Sequence, residues 1–186
     1  MKRIFDLLLG IVIFVMLTIP MLLISIAVHL SSKGPALYWS DRIGKNNKIF
    51  KMPKFRSMMI DTPAVATHIL SNPDAYLSPI GSFLRRFSLD ELPQLFSVLK
   101  GDMSFVGPRP ALYNQDELIS LRTQKGVDKL LPGITGWAQV NGRDDLSIPD
   151  KVALDVEYMN CQSFWFDIRI LWITFIKVIK RDGVSH

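Results

Sequence analysis

The strongest constraint on this chain is an apolar segment near its N-terminus. Between Leu7 and Val28 the sequence carries no charged residue. As a helix, this segment is about 30 Å long, which matches the hydrocarbon core of a bilayer. A cleaved signal peptide is a poor alternative, because the run exceeds an ordinary h-region and Asp6 lies in the would-be n-region. The segment predicts a membrane-inserted helix, assigned here to residues 1–32.

Flanking charge and a central proline indicate how this helix meets the bilayer. Lys2 and Arg3 precede it, and a basic stretch covers residues 33–56. Positive flanks favour the cytoplasmic side, so both ends are expected there. Pro20 removes a helical hydrogen bond and bends the helix, and Thr18 offers a hydroxyl for the freed carbonyl. We predict a re-entrant helix broken at Pro20; a kinked spanning helix is the alternative.

A second membrane signal lies at the C-terminus, where residues 164–181 fit one amphipathic helix. Trp165, Trp172 and Phe175 fall on a wide apolar arc, and Arg169 and Lys177 fall on the opposite side. Aromatic residues facing a cationic stripe suit a helix in the headgroup plane. The same pattern fits a helix packed on a soluble core, and the N-terminal anchor favours the interfacial interpretation.

The region between these signals, about 130 residues, is long enough for a compact globular domain. The predicted class is α+β, mostly helical and membrane-associated, with one globular domain over residues 33–186 that includes the C-terminal helix. Short strands are expected at residues 36–39 and 49–55, and a glycine-punctuated loop or hairpin at residues 133–143. Helices are expected at residues 64–70, 80–86, 88–99, 115–131 and 148–161.

Composition narrows the function classes. A single cysteine, Cys161, excludes an intramolecular disulfide and argues against structural zinc. The sequence contains no P-loop, no G-x-G-x-x-G and no G-x-S-x-G motif. The net charge of +5 with 48% hydrophobic residues favours anionic partners at a membrane surface. Nucleic-acid binding is a weaker alternative, because the basic residues cluster beside apolar segments.

The densest polar stretch is Ser88–Gln94. A capping box with Ser88 and Glu91 explains part of it. It does not explain Pro93, which frees a helical carbonyl and predicts an irregular turn. Asp90 on this turn follows Arg85, and a carboxylate held near arginines is a nucleophile toward phosphorus or a magnesium ligand. Capping and catalysis both remain open at this point.

Further donors occur in three other segments. Arg109 stands between two prolines that reduce the entropy lost when it binds an anion. Each of the three segments also has an alternative explanation without function. These are a proline-rich turn around Arg109, an Asn-Gly hairpin at residues 132–143 and a solvated strand face at residues 54–56. Together they suit a phosphorylated substrate with a lipid partner. The other candidate substrate-binding residues are Lys54, Arg56, Gln139, Asn141 and Arg143.

Five stretches carry a family resemblance, and they occur in order at residues 54–58, 88–94, 99–110, 132–143 and 181–185. In these stretches the chain resembles the bacterial sugar transferases known as small monotopic phosphoglycosyl transferases. The resemblance implies transfer of a sugar 1-phosphate from a UDP-sugar, an N-acetylated hexosamine in the usual range, to undecaprenyl phosphate or another polyprenyl phosphate. It also implies that UMP is released and that Mg²⁺ is required.

The resemblance also implies residue roles. Asp90 is the nucleophile that forms a phosphosugar-aspartyl intermediate, and Glu91 assists with metal or proton; both are expected magnesium ligands. Ile19 stands where family members often carry the serine before Pro20. The resemblance also adds substrate-binding residues, which match family arginines near the nucleotide and phosphates or family acidic positions: Arg85, Arg109, Arg143, Asp155 and Asp167.

The implied setting is the bacterial inner membrane, monotopic, with the catalytic domain on the cytoplasmic face. The reaction is the first membrane step of O-antigen, capsule or glycoprotein glycan assembly, with membrane lipid and downstream glycosyltransferases as partners. The alternative from another class is a non-catalytic, membrane-bound scaffold that binds anionic lipid. That alternative predicts that Asp90→Asn leaves all function intact.

Overall fold

The protein combines a long N-terminal helix with a mostly helical domain that holds two small sheets. A computed structural model describes residues 2–62, 73–142 and 145–180. The helices are α1 (Lys2–Ser31), α2 (Gly81–Arg86), α3 (Gln94–Lys100), α4 (Asp116–Gln124), α5 (Trp137–Val140), α6 (Ile148–Cys161) and α7 (Phe164–Lys180). The strands are β1 (Leu37–Ile43), β2 (Ile49–Phe55), β3 (Ser104–Val106) and β4 (Gly133–Thr135).

Helix α1 packs one stripe of residues on the domain along most of its length. Asp6 accepts a hydrogen bond from the backbone N–H of Phe105 at 3.2 Å, and Gly10 lies against Leu99. Met21 and Val28 in the second half are buried with residues of β2 and α2. Both halves of α1 therefore contact the same domain. The opposite face is apolar and exposed: Ile4, Leu8, Ile11, Val12, Val15, Met16, Ile19, Leu22, Leu23, Ile26 and Leu30.

Pro20 lies inside this helix, which is continuous from Lys2 to Ser31. By length and composition α1 is able to cross a membrane, and the re-entrant break at Pro20 stays a prediction. The expectation for Thr18 was wrong in detail. Its hydroxyl donates to the Phe14 carbonyl at 2.7 Å, whereas the carbonyl deprived of its N–H by Pro20 belongs to Met16.

Strands β1 and β2 form an antiparallel hairpin that starts at the Leu37–Phe55 pair and closes at Ile43–Ile49. The predicted strand at residues 49–55 is confirmed, and the first strand continues beyond the predicted residue 39 to Ile43. The turn uses Asn46 and Asn47 at φ of 55° and 57°, a conformation that asparagine adopts more readily than most residues. This register places Arg42 and Lys54 on neighbouring strands.

Three local predictions were wrong. Residues 88–99 do not form one helix: a 3-10 turn over Leu89–Glu91 precedes α3, because Pro93 cannot supply a helical N–H. The loop or hairpin expected at residues 133–143 is instead β4, parallel to β3, followed by α5. The helix predicted over residues 115–131 ends at Gln124, because Gly126 takes a φ of +78°. The helix predicted at residues 64–70 lies outside the described residues.

The main hydrophobic core lies among α3, β3, α6 and α7, and α7 covers one side of it. Ile170 is fully buried, and Thr174 shares a 2.7 Å hydroxyl contact with Thr135 of β4. The other side of α7 leaves aromatic rings exposed, including Trp165 and Trp172. Helix α7 thus packs on the core of the domain with one side and exposes an apolar face on the other. Its placement in the headgroup region of a membrane stays a prediction. The main core cluster contains Met52, Leu95, Val98, Met103, Phe105, Val106, Val140, Tyr158 and Ile170.

Candidate functional site

Asp90 lies on an irregular turn between α2 and α3. The preceding Ser88 adopts a left-handed conformation at φ 53° and makes no side-chain cap hydrogen bond, so the capping-box interpretation was wrong. The predicted irregularity of this turn is confirmed. The turn is closed by the Glu91 N–H, which donates to the Ser88 carbonyl at 3.2 Å. Asp90 itself is only 8% exposed, so its carboxyl group is largely withdrawn from water.

The surroundings of Asp90 shift its pKa in opposing directions. Burial is the largest effect and raises the pKa of Asp90 above the usual aspartate value. The positive charge of Lys54 lowers it, the negative charge of Glu91 raises it, and Arg85 lowers it. A carboxylate in this position is weakly solvated, which favours nucleophilic attack. The neighbouring cations favour its ionised form, which is the nucleophilic one.

Glu91 is held by cations from two other segments. Lys54 of β2 donates to Glu91 Oε1 at 2.7 Å, and Arg109 Nη2 donates to the same oxygen at 3.3 Å. The side chains of Lys54 and Glu91 are each 16% exposed, so solvent weakens this ion pair less than it would a surface pair. These contacts bring the hairpin, the Asp90 turn and the Arg109 segment together.

Arg42 of β1 is a further cation at this site. In the sequence it is only one of the basic residues that follow the apolar N-terminal segment. Its Nη1 donates to the Pro110 carbonyl at 3.2 Å, and its Nε donates to Ser40 Oγ at 3.0 Å. Burial and the neighbouring Arg109 lower the pKa of Arg42 to about 10, and Glu91 opposes this. Arg42 is still cationic at neutral pH. The charge of Glu91 therefore acts on Arg42, and no local sequence motif indicates that the two residues lie near each other.

Among the residues that the structure describes, this cluster contains more positive than negative charge. Four cationic side chains surround two carboxylates, so the cluster favours a ligand with several negative charges, such as a diphosphate. The cations are Arg42, Lys54, Arg85 and Arg109.

Comparison with known proteins decides the family. The chain matches the bacterial sugar transferase family over residues 1–181. It belongs to that family. It is 41% identical over 198 residues to an undecaprenyl-phosphate glucose phosphotransferase of Komagataeibacter xylinus, covering 100% of this chain and 36% of the relative. It is 40% identical over 185 residues to the UDP-glucose:undecaprenyl-phosphate glucose-1-phosphate transferase of Escherichia coli K12, covering 95% of this chain and 40% of the relative.

A relative of similar length is the uncharacterized sugar transferase EpsL of Bacillus subtilis. Identity is 38% over 188 residues, covering 100% of this chain and 91% of the relative. The chain therefore spans well under half of the first two relatives but most of this one. The bacterial sugar transferase resemblance inferred from the five motif stretches is confirmed.

Three of the predicted substrate-binding residues of this sugar transferase make contacts of their own. Arg56 is 6% exposed and donates through Nη2 to the carbonyl and hydroxyl of Ser32 at 3.0 and 2.8 Å. Gln139 and Asn141 each donate to a nearby backbone carbonyl, at 2.9 and 2.8 Å. These contacts do not involve Asp90 or Glu91. Arg143 lies outside the described residues.

The two predicted acidic positions are buried in separate networks. Asp155 pairs with Arg122, with 2.7 Å between Asp155 Oδ2 and Arg122 Nη2. Asp167 accepts from the Tyr158 hydroxyl at 2.8 Å and pairs with Lys2 at the start of α1. Burial, followed by the charge of Asp167, raises the pKa of Tyr158 above its usual range. Asp167 therefore ties α1 to α6 and α7, and the structure gives it no contact with Asp90.

The described side chains at this site offer few ligands for magnesium. In the part of the chain that the structure describes, no group of three or more His, Cys, Asp or Glu side chains is arranged to hold a metal ion. Magnesium commonly takes one or two protein carboxylates and completes its shell with water and substrate phosphates. Asp90 and Glu91 supply two carboxylates for this mode of binding, and their role as magnesium ligands stays a prediction.

Proposed function

We propose that this protein transfers a sugar 1-phosphate from a UDP-sugar to undecaprenyl phosphate, or a closely similar polyprenyl phosphate, and releases UMP. The observation that carries the proposal is the cation-ringed pair Asp90–Glu91 on a buried turn, in a domain packed against an apolar helix. The names of the Komagataeibacter and Escherichia coli relatives support the same reaction class.

In the first step, a carboxylate oxygen of Asp90 attacks the sugar-linked phosphorus of the UDP-sugar. The new bond joins Asp90 to that phosphorus, and the bond from this phosphorus to the bridging diphosphate oxygen breaks. UMP leaves with the bridging oxygen. The product on the enzyme is an acyl phosphate that carries the sugar.

In the second step, a phosphate oxygen of the polyprenyl phosphate attacks the same phosphorus. The bond to Asp90 breaks and the carboxylate is regenerated. The product is a polyprenyl diphosphate sugar. A covalent intermediate lets a water-soluble donor and a lipid acceptor use one site in turn.

The surrounding cations serve both steps. The attacking carboxylate and the diphosphate are both anionic and repel each other. Arg109 and Lys54, fixed on Glu91, and Arg85 near Asp90 offset this repulsion and stabilise charge on the transferring phosphoryl group. Magnesium, held by Asp90 and Glu91 together with substrate phosphate, would add charge neutralisation.

The sugar and the membrane setting are proposed separately. The Komagataeibacter and Escherichia coli relatives carry glucose in their names, and another relative, from Salmonella typhimurium, is named an undecaprenyl-phosphate galactose phosphotransferase. The expected N-acetylated hexosamine gains no support from these names and stays a prediction. We place the catalytic domain at the cytoplasmic face of the bacterial inner membrane. The exposed apolar face of α1 and the exposed aromatic face of α7 favour contact with lipid, and the basic net charge of the chain favours the cytoplasmic side.

The decisive assay measures UMP release by the full chain in lipid nanodiscs. Donors are UDP-glucose, UDP-galactose, UDP-N-acetylglucosamine and UDP-N-acetylgalactosamine, each with and without undecaprenyl phosphate. We expect lipid-dependent turnover with at least one donor, and Asp90→Asn should abolish it. Wild-type-like UMP release by Asp90→Asn would refute the nucleophile. Absence of turnover with every donor, alongside retained binding of anionic lipid, would favour the scaffold.

A further inference from the structure

Arg109 lies on a backbone segment that has few N–H groups available for hydrogen bonding. Pro108 and Pro110 on either side have no N–H, so the segment is fixed largely through its carbonyls. The structure supplies a donor to each of four consecutive carbonyls. These bonds are Gly133 N–H to Pro108 at 2.9 Å, Arg122 Nη1 to Arg109 at 2.8 Å, Arg42 Nη1 to Pro110 at 3.2 Å and Ile43 N–H to Ala111 at 2.9 Å.

Arg122 of α4 makes the bond nearest to the functional side chain. Its guanidinium donates through Nε to Asp155 Oδ2 at 2.9 Å and through Nη1 to the Arg109 carbonyl, and its Nη2 forms an ion pair with the same Asp155 oxygen at 2.7 Å. The planar guanidinium fixes these directions relative to one another. The position of the Asp155 carboxylate on α6 thereby sets the position of the Arg109 backbone.

We infer that Arg122 and Asp155 are a positioning pair that aims Arg109 at Glu91 and the substrate phosphates. This inference rests on the proposed function. It changes the role of Asp155, for which the family resemblance implied a place at the substrate. Asp155 is 1% exposed, so its carboxylate has no surface to offer a ligand and acts through Arg122.

The physical consequence of losing the pair follows from its burial. Arg122 is 11% exposed at its side chain, and without the Asp155 charge its guanidinium is left buried and under-compensated. The guanidinium then reorients toward water and releases the Arg109 carbonyl. A displacement of about 1 Å at a positioned group lowers catalytic efficiency by about 100-fold.

The test is a double-mutant cycle on UMP release. Asp155→Asn keeps the shape of the side chain and removes the charge. We expect it to lower kcat/KM about 10- to 100-fold in the wild-type background. In an Arg109→Ala background the same change should have an effect of about twofold or less, because the residue through which Asp155 acts is gone. If the fold-losses of the two single variants instead multiply in the double variant, Asp155 acts independently of Arg109 and the inference is overturned.

Matched variants separate positioning from general destabilisation. Asp41→Asn removes a carboxylate from an exposed ion pair with Lys51 and should keep wild-type activity. Arg122→Lys keeps the charge but loses the planar fork, so it should resemble Asp155→Asn. It also serves as the second variant if Asp155→Asn does not fold. Wild-type activity in Arg122→Lys would contradict the inference.

A structural readout keeps this inference separate from the proposed function. In a crystal structure of Asp155→Asn, the 3.3 Å contact between Arg109 Nη2 and Glu91 Oε1 should open. An unchanged contact would overturn the positioning role whatever the activity. If the wild-type chain turns over no UDP-sugar, the proposed function fails, and this geometric test still decides the positioning.

Discussion

Substitution of Gly136 by alanine tests how tightly the Arg109 segment is packed. Gly136 has an extended backbone with φ at −170°, which any residue adopts, so only space is at issue. A Cβ at this position would lie 2.1 Å from the Gly107 carbonyl oxygen, whereas real Cβ atoms essentially never approach within 3.0 Å. The backbone must therefore open by about 0.9 Å at Gly107, two residues before Arg109.

The expected magnitude follows from that displacement. Overpacking of this kind destabilises a protein by about 1–3 kcal/mol. For a chain of this size, such a loss lowers Tm by about 2–12 °C. A shift close to 1 Å that is passed to Arg109 would lower kcat/KM for UMP release by about 100-fold.

The assay pairs thermal unfolding with UMP release in nanodiscs. Gly126→Asn is the matched control: nothing lies within 4 Å of a Cβ there, and asparagine tolerates its φ of +78°. The control should keep nearly wild-type Tm and activity. If Gly136→Ala also keeps both, the close approach of Gly136 to Gly107 does not constrain Arg109, and the packing argument is wrong.

Three further predictions concern charge and the membrane. Because burial raises the pKa of Asp90, kcat/KM should fall on the acid side at a pH above about 3.9, the ordinary aspartate value. In Lys54→Met this limb should move to still higher pH, and activity should fall about 100- to 1,000-fold; an unmoved limb would exclude Lys54 as a partner of Asp90. Asp90→Asn should unfold at a higher Tm than wild type at pH 7.5, because the raised pKa of folded Asp90 makes ionisation of this carboxyl favour the unfolded chain. The difference should decrease with falling pH and vanish below about pH 3.9, the ordinary aspartate pKa that holds in the unfolded chain. Finally, Trp165→Ser with Trp172→Ser should weaken vesicle binding at least severalfold if α7 lies in the headgroup region, and unchanged cosedimentation would refute that placement.

Features set by local sequence were predictable. The strand at residues 49–55 and the helix at residues 148–161 were confirmed because their patterns are long and their turn signals clear. The irregular turn at Asp90 followed from Pro93 alone. The apolar face of α1 needed no tertiary information, because it is a property of the segment itself.

Features set by distant contacts were not predictable. Strand β3 is only three residues long and pairs with β4, which lies far along the sequence, so it leaves no periodic pattern. Ser88 fits a capping box in the sequence, yet its left-handed φ places it outside one. Arg42 comes near Glu91 only when the β1–β2 hairpin packs on the Asp90 turn, and Asp155 meets Arg122 only when α4 packs on α6.

The central claim is tested most directly by mass spectrometry of the enzyme caught between its two steps. The full chain is mixed with a donor that supports turnover, without lipid acceptor, quenched in acid and digested. We expect the peptide that contains Asp90 to gain the mass of the sugar phosphate, with fragment ions placing it on that side chain. Asp90→Asn should show no adduct. An adduct on Glu91, or none at all in a preparation that turns over once lipid is added, would contradict the account.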